Sequence, residues 1–168
     1  MLGFDILASD IDEKATFMTD ANIKWLSEKG YITDTKYEIF NLDVTNSDKR
    51  IIGKLRKTDI SCVVCEPYMG PAQKRLVYPN RADVYLSRVK KLYIGLLDIL
   101  EQITGKGFTL VLIIPSYKTY REWKTFSVRE VFSKSWEILN TDISRGRDLM
   151  WSRKNSIITR NIFVLRKK

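Results

Sequence analysis

Apolar and polar positions alternate in blocks along this chain, and the blocks predict a strand–helix series. "DILAS" (Asp5–Ser9) is a short apolar run that stops at Asp10-Ile11-Asp12. Ala15, Met18, Trp25 and Leu26 then recur at near-helical spacing, and Gly30 stands where a helix stops. A second strand is expected over Tyr37–Val44 and a third over Ile60–Cys65. Residues 72–82 hold Pro79, Asn80 and several basic residues, which predicts a loop. Next, Tyr85, Val89, Leu92, Tyr93, Leu96, Leu97, Leu100 and Ile103 mark one face of a long helix closed by Gly105 and Gly107. Phe108–Pro115 is apolar on both faces, as a central parallel strand is. Residues 127–139 predict a further helix. "DLMWSR" and "NIFVLRKK" predict two closing strands around a polar turn at Lys154–Asn155.

Strands alternating with helices imply an α/β domain whose sheet is mostly parallel. The last two strands are close enough for an antiparallel hairpin at one edge. There is no internal repeat and no linker, so one domain over residues 1–168 is expected. In such sheets ligands bind beyond the carboxyl ends of the strands. That rule brings forward Asp10, Asp43 and the corner Glu66-Pro67-Tyr68, where the run "VVCEPYMGP" breaks off. A carboxylate at a strand end accepts both hydroxyls of a ribose, which suits Asp10. Asp12 either shares that role or caps the following helix. An acid at the next strand end suits an exocyclic amine such as that of adenine, which suits Asp43.

Charge changes the picture more than composition does. The 168 residues carry a net charge of +9. Residues 1–70 hold 9 Lys/Arg against 12 Asp/Glu, and residues 71–168 hold 20 against 8. An excess of +12 in the second part points to a polyanion partner bound on a folded surface. Lys74, Arg75, Arg81 and Arg153 are the leading nucleic-acid contacts, the first two because they follow the corner. Lys90-Lys91 and Arg145-Arg147 read as further surface charge, and Arg160, which with Arg153 flanks the closing hairpin, is expected either to contact RNA or to satisfy the sheet edge.

Trp123, Trp136 and Trp151 read as packing residues. Cys62 and Cys65 form a C-x-x-C pair inside a strand pattern, and with no His in the chain they read as strand residues rather than metal ligands. The same lack of His excludes Ser-His and Cys-His nucleophile schemes. No apolar stretch reaches the ~20 residues needed to span a bilayer, and the start lacks a secretory pattern; a cytoplasmic setting is expected.

The series "ILASDID", "NLDV", "VVCEPYMGP", "TLVLIIPSY" and "LMWSR…TRNIFVLRKK" resembles the S-adenosylmethionine-dependent amino-methyltransferases. Among these it most resembles the tRNA guanine-N2 methyltransferases of the guanosine-10 type. The resemblance runs from Ile6 to Lys168 and rests on motif order and spacing, with the Pro-Tyr corner its most specific element. It implies a Rossmann-like class I methyltransferase fold and S-adenosylmethionine as cofactor. Asp10, Asp12, Asp43 and Cys65 fall at its cofactor side, and Glu66, Pro67 and Tyr68 at its catalytic corner.

In that family's Asp/Asn-Pro-Pro-Tyr motif, the first side chain and a backbone carbonyl orient the target amine, while the aromatic ring stacks on a flipped-out base. Here Tyr68 and Pro67 match the motif's last two residues, Glu66 replaces its first Pro, and Cys65 replaces its acid. The family's first strand and Gly-rich loop have no counterpart before "ILASDID". The resemblance therefore implies an N-terminally shortened catalytic domain, with an RNA-binding domain or subunit supplied separately. The expected activity is methyl transfer to an exocyclic amine of a nucleic-acid base, guanine N2 in tRNA first. The alternatives are a non-catalytic RNA-binding module of the same fold, or an N-methyltransferase acting on DNA or a protein glutamine.

Overall fold

The computed structural model describes residues 4–32, 35–46, 48–132, 134–139 and 149–168. The chain is α/β and divides into two compact units, residues 1–47 and 48–168.

In the first unit, Asp12 begins helix α1 (Glu13–Glu28): its side chain accepts the Lys14 backbone N–H at 2.9 Å. The helix ends at Lys29, and Gly30 follows with φ +72°, a conformation that costs glycine little. Strand β1 (Ile6–Asp10) precedes the helix and strand β2 (Tyr37–Asn41) follows it. The two strands pair in parallel from Ile6↔Tyr37 to Asp10↔Asn41. The Tyr37 hydroxyl donates to the Asp20 carboxylate at 3.2 Å, and Lys24 pairs with the same carboxylate at 2.6 Å. Among the described residues of this unit none is fully buried.

The second unit holds the core. Helix α2 (Lys49–Leu55), which the apolar pattern did not predict, is capped by Asp48 and buries Ile52 and Leu55. Strand β3 (Cys62–Cys65) leads to the corner, and helix α3 (Pro79–Ile103) begins with Pro at its first position, where no N–H is needed. The loop expected to reach residue 82 therefore ends at Tyr78. One face of α3 (Ala82, Leu86, Val89, Tyr93, Leu97, Leu100) packs with Leu110, Leu112 and Ile114 of β4 (Thr109–Lys118) and Leu165 of β8 (Ile158–Lys167). The Tyr93 hydroxyl donates to the Ile113 carbonyl, so this buried polar atom is satisfied.

The sheet of this unit is mixed. Its order is β3-β4-β8-β6, with β5 (Trp123–Lys124) on β4 and β7 (Met150–Trp151) on β8; β6 is Trp136–Ile138. Only β3–β4 is parallel among the described pairs; β4–β5, β4–β8, β6–β8 and β7–β8 are antiparallel. The expectation of a mostly parallel sheet thus describes β1–β2 and β3–β4 but not the rest of the second unit. The predicted closing hairpin is present as β7–β8, with Asn155 of its turn at φ +64°. It does not lie at an edge, because β8 runs between β4 and β6.

The helix expected over residues 127–139 is a correction. A single 3-10 turn, Val128–Glu130, is closed by reciprocal Ser127 and Glu130 capping bonds, and β6 follows. The bulky residues Val128, Phe132 and Trp136 imitate a helical period. The capping box ends the turn, and Trp136 pairs with Lys167 of β8 instead.

Candidate functional site

Candidate residues form one group in each unit. In the first, the parallel pairing sets the carboxyl ends of β1 and β2 side by side, so Asp10 stands opposite Asn41. The exposed Asp10 carboxylate accepts the Asp12 N–H at 2.9 Å through Oδ1. The Asp10 carbonyl accepts from Leu42 N–H at 3.0 Å and from Asn41 Nδ2 at 3.4 Å. Asp43 closes the next turn: its Oδ1 accepts the Thr45 hydroxyl at 2.7 Å and the Thr45 N–H at 2.8 Å. Those bonds, the hydroxyl first, hold its carboxyl below the usual range. Asp12 is committed to capping α1.

The second carboxylate oxygen of Asp10 has no partner among the described residues and can accept a further hydrogen bond. Asp43 stays ionised at neutral pH. Asp12 belongs to the helix. A cleft of about 600 Å³ in this unit runs past Glu13, Phe17, Asp20, Tyr37, Glu38 and Asn41, and none of Asp10, Asp12 and Asp43 lines it.

In the second unit the corner after β3 is fastened at several points. Glu66, biased to extended backbone by the proline that follows, has its Oε1 2.7 Å from Arg160 Nε. The Arg160 guanidinium also lies over the Trp151 ring, 5.0 Å from its centre. The Met69 carbonyl accepts the Tyr117 hydroxyl. Gly70 has φ +96°, and a Cβ there would fall 1.8 Å from that hydroxyl oxygen, so no other residue fits without displacing it. Burial, aided by the neighbouring Tyr68 and Tyr85, pushes the Tyr117 hydroxyl up to about 12, so it remains a donor. Burial, with Glu66 beside it, pushes the Cys65 thiol up to about 11, which leaves it uncharged at neutral pH. Amid these fastenings Tyr68 remains 61% exposed.

Cys65, Glu66, Pro67 and Tyr68 thus form one rigid corner in the second unit, while Asp10, Asp12 and Asp43 belong to the first. Lys74, Arg75 and Arg81 line one cleft of about 510 Å³ beyond the corner. Arg153 lies apart from them, exposed in the β7–β8 turn. Arg145 and Arg147 fall outside the described residues.

Of the tryptophans read as packing residues, Trp136 is buried and donates its indole N–H to Glu101. Trp123 and Trp151 are about half exposed. Sequence reasoning missed the Tyr117–Met69 clasp and gave Arg160 only a general role. The clasp joins residues 48 positions apart, and no local pattern announces it. The glycine between Met69 and Pro71 was the one available signal. No family model matches the chain, and a comparison with curated proteins finds no match.

Proposed function

We propose that this protein transfers a methyl group from S-adenosylmethionine to an exocyclic amine of a nucleic-acid base, guanine N2 in tRNA being the leading target. The observation that carries the reading is the corner Glu66–Gly70: Arg160 holds the Glu66 side chain and Tyr117 the Met69 carbonyl, while the Tyr68 ring is left open to solvent. A ring presented on a fixed backbone can stack on an extruded base without first paying to order itself.

The reading would give the ribose of the cofactor to Asp10 and its adenine amine to Asp43, both in the first unit. The cofactor, when bound, would supply an electrophilic methyl group. The chain's own contribution is orientation. Tyr68 holds the base plane, and carbonyl oxygens of the corner accept hydrogen bonds from the target amine. No basic side chain is required, because the amine sheds its proton after the methyl group arrives. Glu66 does not replace the family's acid directly in this scheme. Its carboxylate is engaged by Arg160, which makes it the anchor of the corner. The α/β fold and the closing β7–β8 hairpin are in keeping with the family resembled.

The test is transfer of labelled methyl from S-adenosylmethionine to unmodified tRNA by the full chain. Tyr68→Ala should abolish transfer and leave cofactor affinity, measured by calorimetry, unchanged. Tyr68→Phe should retain most of the activity, since stacking does not need the hydroxyl. Asp10→Ala should weaken cofactor binding by about 1–3 kcal/mol. Equal turnover in wild type and Tyr68→Ala sinks the assignment. A second reading, an RNA-binding module without transferase chemistry, draws on the same Glu66–Arg160 pair, because a carboxylate bonded to a guanidinium is a weaker acceptor for an amine than a free one. It is the outcome if RNA binds and no methyl is transferred.

A further inference from the structure

We infer that the cleft beyond the corner, formed by Lys74, Arg75, Tyr78, Arg81 and Tyr120, is a binding site for single-stranded nucleic acid. The inference builds on the polyanion partner proposed above, but not on methyl transfer. The cleft measures about 510 Å³, and no carboxylate lines it. Several other cations of the unit are compensated: Lys90 pairs with Glu130, Lys124 with Asp83, Arg160 with Glu66 and Lys167 with Glu101. Among the described residues, Lys74, Arg75 and Arg81 form no ion pair. Three uncompensated cations around one cleft attract a phosphate chain.

Charge alone would serve any polyanion; the two tyrosines narrow the class. Tyr78 and Tyr120 are 65% and 57% exposed, and their ring centres stand 5.0 Å apart with planes tilted by 37°. Neither ring is held out by accident. Tyr78 is the N-cap of α3 but makes no capping bond through its side chain. Its neighbour Val77 is buried and bridges to Thr119, which fixes the backbone on both sides of the cleft. Thr119 in turn ties the following turn, accepting from Glu122 N–H at 3.0 Å and donating to the Glu122 carbonyl at 2.6 Å. Tyr120 therefore projects from a closed turn. Open aromatic faces beside unpaired cations are what unstacked bases on a phosphate backbone require. A duplex hides its bases and would use only the cations. Pro79, whose ring replaces the first N–H of α3, leaves the helix end itself a poor anion site, so the side chains must supply the recognition.

The experiment is fluorescence anisotropy of the full chain with a labelled oligonucleotide of about 12 residues, within the span such grooves cover. Unpaired RNA, unpaired DNA and the corresponding duplexes are compared, without S-adenosylmethionine. Single strands should bind at least about tenfold tighter than duplexes. The Tyr78→Ala/Tyr120→Ala double variant should lose about tenfold or more on single strands and little on duplexes, whereas the Tyr78→Phe/Tyr120→Phe variant should keep wild-type affinity. The Lys74→Ala/Arg75→Ala/Arg81→Ala variant should flatten the dependence of log K on log salt by about 2, at ~0.7 per contact on a single strand. Melting curves establish that each variant is folded, and Tyr120→Ala alone serves if the double variant is not. Equal affinity for single strands and duplexes, or unchanged single-strand affinity in the folded tyrosine-to-alanine variant, overturns the inference. Either result leaves the methyl-transfer reading to its own assay.

Discussion

Helices α1 and α3 both carry an apolar periodicity, weaker in α1, and are used differently. In α1 the apolar residues Phe17, Met18 and Trp25 remain more than half exposed, and no residue of the helix is buried. In α3 seven residues are buried, Val89 and Tyr93 completely. The difference extends to charge. Residues 1–47 hold 4 Lys/Arg against 9 Asp/Glu, and residues 48–168 hold 25 against 11. Periodicity reports that a helix has an apolar side; it does not report what covers that side. The two strands and one helix of the first unit fully bury none of their described residues. The second unit closes a core between α3 and a sheet, and it owns the fastened corner and the basic cleft.

The largest expected effect tests that contrast directly. Leu112, fully buried in β4, should cost about 2–5 kcal/mol when replaced by Ala, whereas Phe17→Ala in α1 should change stability by less than about 0.5 kcal/mol. Urea titrations of both variants decide it. A large loss from Phe17→Ala would mean that the exposed side of α1 is covered in solution.

A second, smaller effect concerns the corner. Gly70→Ala should cost about 1–3 kcal/mol, through its positive φ and through collision with the Tyr117 hydroxyl. In a Tyr117→Phe background the colliding oxygen is gone, so the added loss should shrink. If Gly70→Ala costs the same in both backgrounds, backbone strain is the whole cause and the clasp does not hold the corner.

Titration provides a third measure. The Cys65 thiol has an ordinary value of 9.0 and is pushed up to about 11 by burial, with Glu66 adding to the rise. Between those values the folded protein holds a proton that the unfolded chain has released. Stability should therefore be complete below about pH 9 and fall as pH rises toward 11. Tyr93 and Tyr117, also raised by burial, steepen the fall above pH 10. Cys65→Ala should flatten the first part of the profile in denaturant melts taken from pH 8 to 11. An unchanged slope would show that the thiol is not buried. The exposed Cys62 should be alkylated faster than Cys65 at pH 8.

How much of this was legible in the sequence depends on range. Strands β1 to β4 and helices α1 and α3 were legible because their patterns are long or end in clear stops, such as Gly30 and Gly107, both at positive φ. Helix α2 was not, since seven residues interrupted by Gly53 give little period to read. The span 127–139 misled because bulky residues three or four apart also occur where each packs separately. The strand-end acids were found by position, and Asp12 resolved to a cap. What was illegible lies in long-range pairs. Tyr78 meets Tyr120, Tyr117 meets Met69, and Arg160 meets both Glu66 and Trp151 only once the sheet is assembled.

The smallest effect separates the two surface ion pairs that most distinguish the units. In the first unit Lys24–Asp20 lies within one helical turn, with the lysine side chain 63% exposed. It tethers nothing distant, so Lys24→Met should leave the melting temperature unchanged. In the second, Arg160–Glu66 joins β8 to the corner across 94 positions. A pair this exposed contributes only about 0.2–1 kcal/mol. Its two partners are not equivalent, however, because the guanidinium also covers Trp151. Glu66→Gln keeps an acceptor for Arg160 and leaves that stacking in place, so it should cost least. Arg160→Met removes both contacts, should cost more, and should shift the part of the emission that Trp151→Phe removes. A double-mutant cycle isolates the pair. If Glu66→Gln proves the costlier of the two, the carboxylate has a partner beyond Arg160, and the corner is held differently from the account given above.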